Sequence, residues 1–193
     1  MVSARKSKTY DDYLALGEGV RAELIDGELF MSPQRKGRHI RAASFIGAAV
    51  LTRFGGHAGP SDEGPGGWWI FYKPECHIQL DRRVFVPDLA GWRRERMPRP
   101  PSDTHKFTVI PDWVCEVISP STQSRDLLYK MPRYLEAGVE WVWLVYPVDR
   151  RVDIFRKDGA EWLEVTHIEG QGRVRLPPFE AVELDTSSWW PED

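Results

Sequence analysis

The chain has 193 residues, of which 41% are hydrophobic and 28% are charged, and this balance excludes an intrinsically disordered chain. With 26 basic and 29 acidic residues its formal net charge is −3, so an anionic partner must be met by a local basic patch rather than by bulk charge. No apolar run reaches the ~18 residues that a membrane span needs, and the charged N-terminus lacks a signal-peptide core, so we expect a soluble, cytoplasmic protein. The two cysteines, Cys76 and Cys115, lie far apart without metal-ligand spacing and are expected to be reduced core thiols.

The N-terminal part of the chain predicts a short helix, a hairpin and a longer helix. The basic residues 1–8 are expected to form a mobile start, and Thr9 is placed to cap the short helix. Asp26-Gly27 lies between two short apolar segments, which is the strongest local signal for a β-hairpin. The apolar residues of the Ala-rich run 38–54 have helical spacing, and the Gly- and Pro-rich residues 55–67 predict a surface loop.

The middle of the chain predicts two strands and a second loop. The strands are placed at 70–80 and 84–92, with a turn at 81–83. Residues 93–106 are polar and proline-rich and predict a surface loop. Five basic residues belong to this loop: Arg93, Arg94, Arg96, Arg99 and Lys106. These side chains could contact the phosphates of a DNA backbone, although charged runs are more often only solvated.

Residues 111–147 predict a strand, a helix and a second strand, around which the rest of the fold is arranged. The strands at 113–118 and 141–146 are almost wholly apolar, which is typical of strands that are covered on both faces. The helix between them, 123–138, contains Pro132, which either kinks it or belongs to the first turn of a second helix.

The C-terminal part predicts a hairpin, an edge strand and a tail. We see no internal repeat and no linker, so we expect one α/β domain over residues 1–193. The nine tryptophans include the pairs Trp68-Trp69 and Trp189-Trp190. Such pairs could stack on bases or sugars, but they more often seal core edges or a dimer contact.

Glu116 is an acidic residue within the apolar strand 113–118, where an ionised carboxylate must be paired or bind a metal. Asp112, on the same strand face, is roughly 13 Å away, too far to share one cation, and is expected to cap the strand entry. Asp88 lies on another strand, and if the two strands are neighbours ~4.8 Å apart its carboxylate can meet that of Glu116. Two oxygen ligands with open positions suit Mg²⁺ that also holds a substrate phosphate, and a lysine suits the stabilisation of charge.

At these residues the chain resembles a known family. Pro87-Asp88-Leu89 is followed by Glu116 in the run CEVISPST and then by Lys130. The run ELIDGELFMSP with His39 beyond it, and the run GVEWVWLVYP, complete the pattern. Over residues 10–190 the chain is similar to the bacterial Uma-type restriction endonucleases, which belong to the PD-(D/E)XK nuclease superfamily.

The resemblance implies an α/β fold, a PD-(D/E)XK nuclease-like αβββαβ core with a mixed central sheet, an added N-terminal hairpin and added C-terminal strands. It also implies cleavage of DNA phosphodiester bonds that depends on Mg²⁺ or Mn²⁺. Asp88 and Glu116 would be the metal ligands, and Lys130 the catalytic lysine. The superfamily motif has its lysine two residues after the glutamate, where this chain has Ile118. A homodimer that cuts both strands is a further expectation from the resemblance.

Each of these residues also has an ordinary structural role open to it. Asp88 could end a strand, and Glu116 could pair with a basic core neighbour. Lys130 has Asp126 four residues before it, a spacing that makes an ordinary helix ion pair.

Four further residues are candidate substrate contacts: His39, Glu23, Arg93 and Arg94. His39, at the start of the Ala-rich helix, could face the metal or orient a phosphate, and could equally be a capping or surface residue. Glu23 could be an additional acidic site residue, but its position in a hairpin favours a solvated strand charge.

Three functions are therefore compared. The first is a metal-dependent endodeoxyribonuclease. The second is a nuclease-fold protein that binds DNA or a partner without cleaving, motivated by the displaced lysine and the slightly acidic net charge. The third, a carbohydrate-binding module, rests on the tryptophans alone and predicts a mostly β structure, whereas the patterns at 38–54 and 123–138 are helical.

Overall fold

The structure is a computed structural model that describes residues 7–17, 19–32, 35–56, 64–78 and 83–191. The expected mobile start up to residue 6, part of the first predicted loop (57–63) and the predicted turn at 81–82 lie outside the described residues.

Four α-helices and a π-helix are present in this part of the chain. They are α1 (Tyr10–Leu14), α2 (Gly37–Phe54), α3 (Gln123–Arg125), the π-helix (Asp126–Lys130) and α4 (Met131–Ala137). Thr9 caps α1 as predicted, with its hydroxyl accepting from the Asp12 backbone N–H. Among the helices described, none is both long and apolar enough to cross a membrane.

The strands form two larger sheets and one small sheet. In chain order they are β1 (Ala22–Ile25), β2 (Glu28–Met31), β3 (Trp68–Tyr72), β4 (Glu75–Ile78), β5 (Arg83–Phe85), β6 (Leu89–Arg93), β7 (Lys106–Phe107), β8 (Trp113–Val117), β9 (Trp141–Tyr146), β10 (Arg151–Asp158), β11 (Glu161–Glu169), β12 (Arg173–Val174) and β13 (Leu184–Asp185). The six-stranded sheet has the order β11-β10-β9-β8-β6-β3, and the five-stranded sheet has the order β2-β1-β5-β4-β7. Strands β12 and β13 pair with each other.

Both larger sheets are mixed, as the family resemblance implied. In the six-stranded sheet β8 and β9 are parallel, and the segment with α3, the π-helix and α4 makes the crossover between them that a parallel pair requires. The predicted hairpin is confirmed: Asp26 and Gly27, with φ of 49° and 83°, form the turn between β1 and β2. This hairpin lies at one edge of the five-stranded sheet and carries Glu23.

The two long strands predicted in the middle of the chain are wrong as single elements. The run 70–80 divides into β3 and β4 around Lys73-Pro74, and the run 84–92 divides into β5 and β6 around Val86-Pro87. Proline has no N–H for a sheet ladder, and Lys73 has a φ of 48°, so the chain turns at both places. Because of these breaks, β3 and β6 join the six-stranded sheet while β4 and β5 join the other.

The core has two layers, one on each face of the six-stranded sheet. On one face α2 and the C-terminal segment pack against β8 and β9, and the Trp113 and Trp143 rings meet edge to face with centroids 5.2 Å apart. Trp189 and Trp190 are buried in this layer and so seal the core. On the other face α4 and the five-stranded sheet enclose a second cluster that contains Cys76. Cys76 and Cys115 are both buried free thiols, as predicted.

Candidate functional site

Asp88 and Glu116 face each other across two neighbouring strands. Strands β6 and β8 are antiparallel, and Leu89 lies opposite Cys115. Asp88, directly before Leu89, therefore comes opposite Glu116, where facing Cα atoms are roughly 4.5–5.5 Å apart. Both side chains are only 1% exposed. The prediction that these strands are neighbours is confirmed.

The Asp88 carboxylate is held by one backbone amide and three basic side chains. Its Oδ2 accepts a hydrogen bond from the Val117 N–H at 2.9 Å. Its Oδ1 lies 3.1 Å from His39 Nε2, 3.5 Å from Lys73 Nζ and 3.8 Å from Arg35 Nη2. These contacts fix the position of the Asp88 carboxylate directly before β6.

His39 is the predicted site residue that contacts Asp88, and it is buried rather than on the surface. Burial lowers the pKa of its imidazole to about 4. The nearby Asp88 carboxylate acts to raise this pKa, but the cations Arg35 and Lys73 lower it further. His39 is therefore neutral near pH 7 and contacts Asp88 as a neutral partner.

Glu116 is held by Lys130 and Tyr134. Its Oε1 lies 2.5 Å from Lys130 Nζ and accepts a hydrogen bond from the Tyr134 hydroxyl at 2.6 Å. Burial raises the pKa of Glu116 to about 8, because the nearby carboxylates of Asp126 and Asp88 add to the burial effect and Lys130 only partly offsets it.

Lys130 is at the centre of a buried charge cluster. Its side chain is 0% exposed, and its Nζ lies 2.8 Å from Glu23 Oε1 and 3.9 Å from Asp126 Oδ1. Arg125 Nη1 lies 3.3 Å from Glu23 Oε2. Burial acts to lower the pKa of Lys130, but Glu116, Glu23 and Asp126 together raise it, so the amine stays charged. Three carboxylates thus share two cations, and this surplus of negative charge fits a proton on Glu116.

The π-helix explains how the chain brings Lys130 inward. Asp126 and Lys130, at its two ends, are both buried, while Leu128 between them is 71% exposed. Such π-helical turns are rare and are frequent at functional sites. Pro132 follows in the first turn of α4, so the second-helix alternative for this proline is the one observed.

Glu23 is not the solvated strand charge that the hairpin pattern favoured. It is 1% exposed, and its Oε1 also accepts from the Val86 N–H at 2.9 Å. Burial alone would raise the pKa of Glu23, but Lys130 and Arg125 outweigh it and lower the pKa. The prediction missed this because β1 is covered on both faces, whereas hairpin strands commonly expose one.

Arg93 and Arg94 lie at the opposite end of β6 from Asp88, roughly 16 Å along the strand. Arg93 donates its backbone N–H to Asp112 Oδ2 at 2.8 Å, which gives Asp112 its place at the entry to β8. Arg94 Nη2 donates to the Gly55 carbonyl at 2.7 Å, and its guanidinium lies 3.6 Å from the centroid of the Trp69 ring. Their contact with DNA stays a prediction.

Four site residues were missed by sequence reasoning: Arg35, Lys73, Arg125 and Tyr134. A buried phenol such as that of Tyr134 needs a polar partner, and that requirement was a usable signal. Arg35 and Lys73 lie outside helices and strands, where the sequence pattern does not indicate the direction of a side chain.

The carboxylate pair has the chemistry for a divalent ion. Mg²⁺ is commonly bound by one or two carboxylates, with water and substrate phosphate completing its shell. Asp88 and Glu116 supply such a pair, and Asp88 is close enough to raise the pKa of Glu116. Across the described ranges no three or more His, Cys, Asp or Glu side chains are arranged to hold a metal by themselves. An ion at this pair would need water or substrate to complete its ligands.

Comparisons with known proteins agree with this architecture. The chain is similar to a solved structure from Anabaena variabilis, described as a putative nuclease belonging to DUF820, with 21% identity and a TM-score of 0.70 over 94% of this chain and 97% of that chain. At this identity the likeness shows the fold alone. No curated protein matches the chain. The model of the Uma2 family, described as "Putative restriction endonuclease", matches residues 9–187, and the chain therefore belongs to that family of nuclease-like proteins.

Proposed function

We propose that this protein is an endodeoxyribonuclease that uses a divalent metal ion, Mg²⁺ or Mn²⁺, to hydrolyse phosphodiester bonds in DNA. The observation that carries the proposal is the placement of Asp88 opposite Glu116, with Lys130 Nζ 2.5 Å from the Glu116 carboxylate. Membership of a restriction endonuclease family supports the nuclease class.

Asp88 and Glu116 would hold the ion together. When bound, such an ion lowers the pKa of a coordinated water and neutralises charge on the phosphate. His39 orients Asp88 through the contact at its Oδ1. Carboxylates that are already held in the geometry needed for the reaction lower its barrier.

Lys130 acts through Glu116 rather than on the substrate. Because its amine is enclosed and lies between Glu116 and Glu23, it fixes the position of Glu116 and balances buried charge. The position of the motif lysine is occupied by Ile118 in this chain. We therefore assign Lys130 as a positioning residue and not as an equivalent of that lysine.

A nuclease-fold protein that binds without cleaving is the second candidate. It is favoured by the same enclosure of Lys130, because a lysine that is 0% exposed cannot reach a phosphate without a rearrangement.

Plasmid nicking separates the two candidates. The full chain is incubated with supercoiled plasmid and Mg²⁺ or Mn²⁺, beside the Asp88→Asn and Glu116→Gln variants. Asp158→Asn and Glu161→Gln, at exposed positions of the β10–β11 hairpin, serve as matched controls. The nuclease proposal predicts metal-dependent nicking that falls at least about a hundredfold, roughly 2.7 kcal/mol, in the two site variants.

Nicking that persists equally in the site variants would contradict the metal site, and a thermal melt shows that each variant is folded. Absence of nicking by the wild-type chain with either ion, together with retained DNA binding, would favour the second candidate.

A further inference from the structure

A small cavity lies beside Asp88, between the start of α2 and the loop after β8. Its volume is about 150 Å³. Residues at and just before the start of α2 form one side of it: Arg35, Lys36, Arg38 and His39. Ser119 and Ser121, in the loop after β8, contribute to the other side, and Ser119 follows Glu116 by three residues.

The start of α2 carries the opposite charge from the one that a helix start favours. The N-terminus of a helix has a partial positive charge and unsatisfied N–H groups, so acidic or capping side chains are stabilising there. Here the first turn has no acidic residue, and Lys36 at the N-cap position makes no side-chain hydrogen bond. Arg35, Lys36 and Arg38 add positive charge to this end instead. A bound anion would offset that repulsion and accept from the free N–H groups.

Buried nitrogens without partners indicate a ligand at the same place. The Arg35 side chain is 10% exposed, and its Nε and Nη1 have no hydrogen-bond partner within the described structure. His39 is 3% exposed, and its Nδ1 is likewise unpartnered while its Nε2 contacts Asp88. Because unpaired buried donors are costly, Arg35 is suited to an acceptor that enters the cavity. In neutral His39 the Nε2–H donates to Asp88, so Nδ1 is an acceptor and suits a hydroxyl or water rather than the anion itself.

The opposite side of the cavity supplies neutral donors. The hydroxyls of Ser119 and Ser121 share a hydrogen bond at 3.1 Å, and Ser119 Oγ also lies 3.0 Å from Thr122 Oγ1. When Ser119 donates to Ser121, the Ser121 hydroxyl is left to donate to an anion oxygen. An arginine pair, a helix N-terminus and serine hydroxyls are together the donor set that recognises a tetrahedral phosphate.

We propose that this cavity binds a backbone phosphate of the DNA strand, adjacent to the phosphate that is cleaved. The proposal rests on the proposed nuclease function, because Arg35 and His39 contact both the cavity and Asp88. A volume of about 150 Å³ admits a phosphate group with its oxygens but not a base pair. The cavity would fix the position of the strand, so that the neighbouring phosphate lies over Asp88 and Glu116.

Phosphate binding without metal tests this site independently of cleavage. The ¹⁵N-labelled full chain is titrated at constant ionic strength with inorganic phosphate and, separately, with a thymidine trinucleotide, and amide shifts are followed by NMR. We expect saturable shifts at residues 36–39 and at Ser119 and Ser121. Arg38→Gln and Ser121→Ala, both at exposed positions, should weaken binding, the former by about tenfold. Arg156→Gln, an exposed arginine on β10, is the matched control and should bind like the wild type.

Phosphate shifts elsewhere, or equal binding by Arg38→Gln and Arg156→Gln, would overturn the proposal. A trinucleotide that gives no saturable shifts at the residues that phosphate shifts would also overturn it, since the cavity would then take free phosphate rather than a strand. If the wild-type chain binds phosphate at these residues but does not nick plasmid with either metal ion, the result counts against the proposed nuclease function and leaves the phosphate site standing.

Discussion

Lys130 is the residue on which the buried charge cluster depends. Its amine lies within 2.8 Å of both Glu116 and Glu23, and none of these side chains is more than 2% exposed. Removing one partner of a buried ion pair is strongly destabilising, because the other charge is left uncompensated. The cluster therefore makes Lys130 a structural requirement as well as a positioning residue.

Lys130→Met is expected to lower the free energy of unfolding by about 3–5 kcal/mol. Urea denaturation of the full chain measures this loss. Lys8→Met is the contrast, because the exposed Lys8–Asp12 pair, 3.9 Å apart, should contribute no more than about 0.5 kcal/mol.

Combining Lys130→Met with Glu23→Gln should recover part of the loss, because the second change removes one of the unpaired charges. Additive losses in the double variant would show that the two side chains are not coupled and would contradict the cluster.

Metal affinity should depend on pH through Glu116. With its pKa raised to about 8, Glu116 carries a proton at pH 7, and an ion can bind only by displacing it. Affinity for Mg²⁺ should therefore weaken by about tenfold for each pH unit below 8 and become constant above it. His39, with a pKa of about 4, does not titrate in this range.

Calorimetry in buffers of different ionisation enthalpy measures the released proton directly. Near pH 7 we expect about one proton per ion bound, falling towards zero above pH 9. Glu116→Gln should remove the pH dependence. An affinity that is flat from pH 6 to pH 9 would show that Glu116 is already ionised in the free protein.

At the scale of elements, the pairing of β6 with β8 sets the distance between Asp88 and Glu116. Gly91, in the middle of β6, lies opposite Trp113. A Cβ atom there would lie 2.9 Å from Ile70 Cδ1 and 3.1 Å from Trp113 Cε3. The side chains of Ile70 and Trp113 therefore leave little room for a methyl group at this position on the sheet face.

Gly91→Ala is expected to destabilise the protein by about 1–3 kcal/mol, because the added methyl overpacks the core. Thermal or urea unfolding measures the change. Gly172→Ala is the matched control: a Cβ there meets nothing within 4 Å, so its effect should be small. Equal stability of the two variants would mean that the Ile70 and Trp113 side chains shift to admit the methyl group without cost.

The strands that carry the site were accessible from the sequence because of their apolar runs. Strands β8 and β9 are buried on both faces, so their near-continuous hydrophobicity predicted them closely. The breaks in the middle of the chain were also readable, because Pro74 and Pro87 interrupt runs that were taken as continuous. The meeting of Asp88 and Glu116 depended on their two strands being neighbours, and only the sheet topology shows that they are.

The surroundings of the acidic pair were not accessible in the same way. Asp126 and Lys130 are four residues apart, a spacing that is the same for an exposed helix ion pair and for a buried one. Only the tertiary fold shows that this pair is buried. A π-helical turn has no pattern that would have indicated it. Lys73 reaches Asp88 from a turn whose φ of 48° depends on the surrounding fold.

At the scale of the whole molecule, a net charge of −3 means that DNA must be bound by a restricted basic surface. Lys36 and Arg38, exposed beside the cavity, form such a surface, while Arg35 and Lys73 are nearly buried against Asp88. The expected homodimer stays a prediction, which sedimentation of the full chain tests.

The salt dependence of DNA binding should reflect this small number of contacts. In EDTA, the slope of log K against log[salt] for duplex DNA is expected to be about −2, since Lys36 and Arg38 each neutralise one phosphate and each neutralised phosphate contributes about −0.9. Arg38→Gln should reduce the slope by about 1, and Arg156→Gln should leave it unchanged. Fluorescence anisotropy over a range of salt measures it, and a slope that Arg38→Gln does not alter would exclude this surface as the main contact.

Anomalous scattering from crystals soaked in Mn²⁺ tests the metal site of the whole account most directly. The account predicts a peak between β6 and β8, with one oxygen of Asp88 and one of Glu116 within about 2.0–2.6 Å of the ion. A peak elsewhere, for example beside Glu75 and His105, or none at saturating Mn²⁺ with Lys130 still against Glu116, would contradict it.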